Sequence, residues 1–191
     1  MNKSITRRNS IIREIVEVAL MSVLITVCAW ISIPLTVSFT LQTFAIYFIL
    51  RVSGGKKGLI SIILYILLGI IGVPVFSGFK GGLGVLLGPT GGYIVGFVLI
   101  GILYLLFEKL FNNKIIFYVI LFTGLILCYL FGTIWFTVVM ASGESKYSFW
   151  EALLICVIPF IIPDIIKIIL SQLIGSRVLK IINKDEDNKK N

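Results

Sequence analysis

The stretch from Ile115 to Met140 reads IIFYVILFTGLILCYLFGTIWFTVVM and contains no charged residue. A helix needs about 20 apolar residues to cross the hydrocarbon core of a bilayer, and this run is long enough. The whole chain has the same character, since 58% of its 191 residues are hydrophobic and only 14% are charged. A soluble domain would carry roughly 25% charged residues. The sequence therefore predicts an integral membrane protein.

Five other apolar runs flank this one. The six predicted spans are Ile15–Ile31, Val37–Leu50, Leu59–Phe76, Thr90–Phe107, Ile115–Met140 and Trp150–Ile174. The second run is short, so its ends are the least well defined. We predict an all-α bundle of six transmembrane helices over residues 1–182. A polar tail, predicted to be disordered, follows over residues 183–191.

The positive charges indicate how the spans are oriented. Of the 17 Lys and Arg residues, fourteen fall in the terminal and connecting segments on one side of the predicted bundle. The opposite side carries only Lys80 and Lys146, and Lys167 lies inside a span. Because cytoplasmic segments are enriched in Lys and Arg, both termini are predicted to be cytoplasmic in a multi-pass protein of the cell membrane. The basic excess is thus a topology signal, and we expect no nucleic-acid partner.

Several chemistries are excluded by composition. The chain has no histidine, so it has neither a histidine-dependent nucleophile nor a His-ligated metal. Cys28, Cys128 and Cys156 lie far apart in apolar runs, which is typical of buried reduced thiols. Glu17 and Glu151 lie at the very ends of their predicted spans, so Asp164 is the single acidic residue deep inside one, which is too few for an aspartate dyad. We therefore expect no enzymatic activity, no bound metal and no cofactor.

A glycine-rich segment joins the third and fourth spans. It runs from Val73 to Tyr93 as VPVFSGFKGGLGVLLGPTGGY, and no Lys-Ser or Lys-Thr follows its glycines as a phosphate-binding P-loop requires. Glycines at 84, 88, 92 and 96 are spaced by four, which favours close helix packing wherever the segment is helical. Gly124, Cys128 and Gly132 repeat that spacing on the fifth span. Irregular backbone at membrane depth must be buried in protein or line a cavity, so residues 78–88 also indicate a ligand chamber.

The last span contains two charged residues three positions apart, Asp164 and Lys167, in the sequence IPFIIPDIIKIIL. On a helix this spacing places both side chains on one face. A lone charge near the bilayer centre costs about 2.5–3.5 kcal/mol on insertion scales, so such residues are rare outside functional sites. A structural ion pair that fixes helix register is the alternative. Pro159 and Pro163 disturb the helix nearby, and Pro163 would lie in the first turn of a helix that starts there, whose positive end favours an ionised Asp164.

Four segments together resemble a known family: residues 40–45 (TLQTFA), 72–78 (GVPVFSG), 81–93 (GGLGVLLGPTGGY) and 159–167 (PFIIPDIIK). The pattern is similar to that of the BioY family, the biotin-specific substrate-binding (S) subunits of energy-coupling factor (ECF) transporters. The resemblance implies a six-helix protein that captures biotin from outside with high affinity and delivers it inward. It also implies a transmembrane coupling (T) subunit and two ABC-type ATPase subunits as partners.

The resemblance also implies a set of site residues. We expect Asp164 to accept from the ureido N–H groups of biotin and Lys167 to donate to the ureido carbonyl. Tyr93 and Trp135 would flank the apolar ring, and Lys80 would face the carboxylate, although a solvated loop lysine is the alternative for Lys80. The predicted site consists of Gln42, Lys80, Gly81, Gly82, Tyr93, Trp135, Asp164 and Lys167.

A docking face for the coupling subunit is expected on the first helix, where family members show an AxxxA ridge. Here Ala19 is followed four places later by Val23, but Ala19, Ser22 and Thr26 still form a small-residue face. Two other functions stay open from the sequence: an S subunit for another small vitamin, and an autonomous facilitator in which Asp164 and Lys167 line the path.

Overall fold

The computed structural model describes residues 2–35, 37–141 and 147–190, so the predicted outer Lys146 lies outside the described residues. Two short strands, β1 (Ser32–Ile33) and β2 (Phe39–Thr40), pair antiparallel. A 3₁₀ turn covers Glu108–Leu110. The helices are α1 (Asn2–Trp30), α2 (Gln42–Ile70), α3 (Leu83–Leu87), α4 (Gly91–Phe107), α5 (Lys114–Ala141), α6 (Phe149–Cys156) and α7 (Ile158–Lys190).

The predicted all-α class is confirmed. Among the described residues, four helical segments are long and apolar enough to cross a membrane: Gln42–Ile70, Gly91–Leu110, Lys114–Ala141 and Ile158–Lys184. The count of six spans with both termini inside stays a prediction.

The first of these segments, α2, is two helices rather than one. Gly54 has φ 77° and ψ 170°, which no helical residue adopts. Leu50 and Gly58 would lie about 12 Å apart along one continuous helix. In the structure, a Cβ added at Gly58 would lie 3.1 Å from the Cα of Leu50. The chain therefore reverses at Gly54, and α2 is a hairpin of two arms, 42–53 and 55–70.

Glycines allow this reversal. The positive φ at Gly54 is strained for a residue with a Cβ, and a Cβ at Gly55 would lie 2.7 Å from the Cα of Leu105. The Gly55 N–H donates to Glu108 Oε1 at 3.1 Å, which ties the turn to the end of α4.

The two arms correspond to the predicted second and third spans, but the predicted ends are wrong. The second span was expected from Val37, whereas the first arm begins at Gln42 because β2 takes up the preceding residues. The third was expected to reach Phe76, whereas the second arm ends at Ile70 because a non-helical loop follows, with Gly72 at φ 98°.

The predicted sixth span, from Trp150, is also corrected. A capping box of Ser148 and Glu151 starts the short α6, and Val157 (φ −124°, ψ −53°) separates it from α7. A new helix does begin, but Pro159 rather than Pro163 lies in its first turn, where a missing N–H costs little. Asp164 is therefore only about 9 Å along this helix. The tail over residues 183–191 was predicted to be disordered. This prediction is wrong for residues 183–190, because α7 continues to Lys190.

The most extensive helix contact is between α4 and α5, and glycines allow it to be close. A Cβ at Gly96 would lie 2.7 Å from Cys128 Sγ, and Gly92 lies directly against Trp135. The prediction of close packing is confirmed for these two glycines. It is wrong for Gly84, around which a Cβ would meet no atom within 4 Å. All three cysteines are free and buried, as predicted.

Candidate ligand-binding site

A cavity of about 440 Å³ lies at the end of the bundle opposite the Gly54 turn. The β1–β2 segment, the start of α2, the loop before α4 and the start of α7 all contribute residues that line it. The loop residues Lys80, Gly84 and Gly88 line it, so the structure contains the chamber expected beneath residues 78–88.

The predicted charged pair lines this cavity. Lys167 Nζ lies 2.8 Å from Asp164 Oδ1, and only 7% of each side chain is exposed. Lys167 also donates to the Thr40 carbonyl at 2.7 Å, and its Nζ lies 4.0 Å from the centre of the Phe39 ring. Lys167 thus connects α7 to strand β2, 127 residues earlier in the chain.

Sequence reasoning missed the third member of this cluster, Tyr129. Its hydroxyl donates to Asp164 Oδ2 at 2.6 Å, so both carboxylate oxygens of Asp164 accept a hydrogen bond. No spacing rule connects positions 129 and 164. The available signal was chemical: a buried carboxylate needs hydrogen-bond donors, and Tyr129 carries one inside the apolar fifth span.

A second polar cluster lies at the start of α2. Gln42, which was predicted, lines the cavity and donates from Nε2 to the Tyr65 hydroxyl at 2.6 Å. Its amide oxygen accepts from Thr40 Oγ1 at 2.9 Å. Thr40 therefore contacts both clusters, through its side chain and its carbonyl, although it was not predicted as a site residue.

Lys80 lies at the mouth of the cavity and is exposed. It follows a sharp turn in which Phe79 has φ 57°, and it forms an isolated bridge with Phe76. Gly81 and Gly82 were also predicted as site residues, but they are not among the residues that line the cavity. Gly82 instead donates from its N–H to the Gly69 carbonyl at 2.7 Å and so holds the loop to α2.

The two predicted aromatic residues have different positions. Tyr93 lines the cavity, and its hydroxyl lies 3.2 Å from Thr133 Oγ1. Trp135 is not among the lining residues; its Nε1–H donates to the Gly88 carbonyl at 3.1 Å, behind the loop. The apolar wall is formed instead by residues that the sequence did not single out, among them Phe97, Ile100, Leu125 and Phe160.

The three residues predicted to dock a partner subunit differ in solvent exposure. Ala19 is exposed, whereas Ser22 is fully buried and Thr26 is 7% exposed and donates to the Ser22 carbonyl. The two polar residues of the predicted face therefore point into the bundle.

The cavity combines an anionic acceptor, a cationic donor and an apolar wall in one space. This suits a small molecule with an apolar body and a polar head that both donates and accepts hydrogen bonds. Among the described residues, no group of three potential metal ligands occurs.

The BioY family model matches residues 1–184. The chain belongs to the BioY family. "Biotin transporter BioY" of Thermotoga maritima is 37% identical over 172 residues, which cover 88% of this chain and 97% of that protein. "Biotin transporter BioY2" of Lactococcus lactis subsp. cremoris is 32% identical and is covered over 95% of its length.

A solved structure supports the same assignment. The S-component for biotin from an ECF-type ABC transporter matches with a TM-score of 0.78 and 27% identity, over 90% of this chain and 93% of that chain. The family resemblance drawn from the sequence is therefore confirmed. BioY proteins are transporter components rather than enzymes, and this member is a multi-pass membrane protein.

Proposed function

We propose that this BioY family member captures biotin outside the cell and delivers it inward as the S component of an ECF-type transporter. The cavity that contains the Asp164–Lys167 pair is the observation that carries the proposal. Its polar cluster and apolar wall match the two ends of one small ligand, and relatives that match nearly full length are named biotin transporters.

Biotin has a ureido head with two N–H donors and one carbonyl, an apolar ring and a carboxylate tail. In our assignment, Asp164 accepts from the ureido N–H groups and Lys167 donates to the ureido carbonyl. Charge-assisted hydrogen bonds of this kind are stronger than neutral ones. Each carboxylate oxygen of Asp164 can accept a second hydrogen bond beside the one it has, and Lys167 has a third N–H to donate beside its bonds to Asp164 and Thr40.

The remaining parts of biotin are assigned by position. Gln42 and Tyr93 border the cavity and contact the ligand body, together with Phe97 and Phe160. Trp135 acts indirectly by holding the Gly88 carbonyl, and Gly81 and Gly82 shape the loop that carries Lys80. Lys80, at the mouth, faces the carboxylate.

The topology follows from the same proposal. We infer six membrane crossings, made by α1, the two arms of α2, α4, α5 and α7, with residues 1–182 as the membrane domain and residues 183–191 as a cytoplasmic tail. The cavity then opens at the end that carries few cations, as the positive-inside rule requires for the outer face.

Transport against a gradient needs an energy source outside this chain. We propose a transmembrane coupling subunit and two ABC-type ATPases as partners, docked on the exposed face of α1 that includes Ala19. Ser22 and Thr26 are too buried to contribute to that face.

A ligand panel tests the function. Purified protein titrated with biotin, riboflavin, thiamine and a soluble biotin amide should bind biotin most tightly. Tighter binding of another vitamin would contradict the assignment. Biotin uptake into liposomes that contain this chain alone would instead favour the autonomous facilitator.

A further inference from the structure

A second cavity, of about 340 Å³, opens on the side of the helix bundle, between α5 and the α6–α7 unit. Helix α5 packs most extensively on α4, and α7 on α2, so α5 and α7 diverge beside the short α6. Leu130 of α5, Leu153 of α6 and Ile161 of α7 line the resulting groove. We refer to it as the α5–α7 groove.

Among the described residues that line the α5–α7 groove, two carry hydroxyls, and both hydroxyls are engaged elsewhere. The Tyr129 hydroxyl donates to Asp164, inside the ligand cavity. The Thr133 hydroxyl lies 3.2 Å from the Tyr93 hydroxyl. The eight other lining residues have apolar side chains, so the surface of the groove is apolar.

The α5–α7 groove lies at membrane depth, on a surface that faces lipid. Lys114–Ala141 and Ile158–Lys184 on its two sides are both long and apolar enough to cross the membrane, and Ile126 on its rim is 56% exposed. Lipid tails are about as apolar as leucine side chains, so a wholly apolar groove at this depth suits a hydrocarbon chain of the surrounding lipid.

We propose that the α5–α7 groove binds one acyl chain of a membrane lipid. Tyr129 and Leu125 line both this groove and the ligand cavity, so a single layer of side chains separates the two spaces. An acyl chain in the groove packs on the ring of Tyr129 from the lipid side while its hydroxyl bonds to Asp164. The lipid thereby supports the polar cluster from outside, whatever ligand the cavity holds.

Photolabelling tests the proposal on the intact chain. The protein is reconstituted in phosphatidylcholine vesicles that contain some phosphatidylcholine with a diazirine at mid-chain, and labelled residues are mapped by mass spectrometry. Ile126 and Ile161 in the groove should label several-fold more than Leu127 and Ile162, which do not line it. Leu127 and Ile162 are controls matched for depth because each is the next residue on the same helix, and they are 39% and 71% exposed. Equal labelling of the two sets would overturn the proposal.

A filling variant adds a second readout. Ile161→Trp should abolish the excess labelling of Ile126, whereas the neighbouring Ile162→Trp should leave it unchanged. If Ile161→Trp does not fold, the wild-type map decides alone. Loss of the labelling on addition of biotin would overturn the proposal, because the groove would then be a path for the soluble ligand. This result is independent of the biotin titrations that test the function.

Discussion

Two ion pairs have the same length in this protein but lie in opposite environments. Lys57 Nζ lies 2.8 Å from Glu17 Oε2, with 36% and 31% of the two side chains exposed. Lys167 Nζ also lies 2.8 Å from Asp164 Oδ1, but 7% of each side chain is exposed. The first pair joins α1 to α2 near the Gly54 turn, and the second lines the ligand cavity.

The difference shows that surroundings, and not distance, decide what an ion pair does. An exposed pair gives about 0–1 kcal/mol and is screened by salt. A buried pair has lost hydration that its mutual attraction only partly replaces, so it contributes little net stability but is costly to break. Asp164 and Lys167 are therefore better explained by a ligand that uses them than by stability.

Breaking the buried pair should have the largest effect. Lys167→Met leaves the Asp164 carboxylate buried with only the Tyr129 hydroxyl as partner, which should destabilise the fold by about 3–5 kcal/mol. Thermal unfolding in detergent micelles measures this. The double variant Lys167→Met/Asp164→Asn, which has no buried charge, should recover most of the loss. If the double variant is no more stable than the single one, the buried charge is not the cause.

Removing the tyrosine hydroxyl should have a smaller effect. Tyr129→Phe keeps the ring but deletes the donor to Asp164 Oδ2, and hydrogen bonds to charged groups contribute about 1.5–3 kcal/mol. Biotin affinity should fall by roughly tenfold as Asp164 loses its orientation. Tyr118→Phe on the same helix is the control, since Tyr118 is 40% exposed. Unchanged affinity in Tyr129→Phe would remove this residue from the cluster.

The exposed lysine at the mouth should contribute less again. Lys80→Met should weaken biotin about fivefold, since an exposed charge pair is worth at most about 1 kcal/mol. A biotin amide, which lacks the carboxylate, should bind wild type and variant equally. Equal weakening of both ligands would show that Lys80 does not face the carboxylate and is only a solvated loop residue.

The smallest effect is expected at the exposed pair. Glu17→Gln should change the free energy of unfolding by less than about 1 kcal/mol, and the change should shrink in high salt. Biotin affinity should stay the same. A loss comparable to that of Lys167→Met would mean that the two pairs do not differ as their burial indicates.

Local features of this fold were readable in the sequence, and features that depend on distant contacts were not. Asp164 and Lys167 share a helix face because they are three residues apart, so their pairing follows from helix geometry alone. Tyr129, at 35 residues from Asp164, and the Thr40 carbonyl, at 127 residues from Lys167, join the cluster only through tertiary packing. No local pattern identifies such partners.

The helix ends show the same limit. Hydropathy locates an apolar run but not the residue where its helix stops, so the runs beginning at Val37 and Trp150 were placed correctly in the chain but given wrong ends. Trp135 shows the same limit for a side chain. It was predicted to contact the ligand, but it faces the back of the glycine-rich loop and donates to the Gly88 carbonyl.

Whether Asp164 binds the polar head of biotin can be measured by calorimetric titration of Asp164→Asn beside wild type. The affinity of Asp164→Asn for biotin should be weaker by more than about tenfold, since a charge-assisted hydrogen bond contributes about 1.5–3 kcal/mol. Asp187→Asn, in the polar tail, should bind like wild type. Wild-type affinity in a folded Asp164→Asn protein would show that Asp164 does not bind biotin.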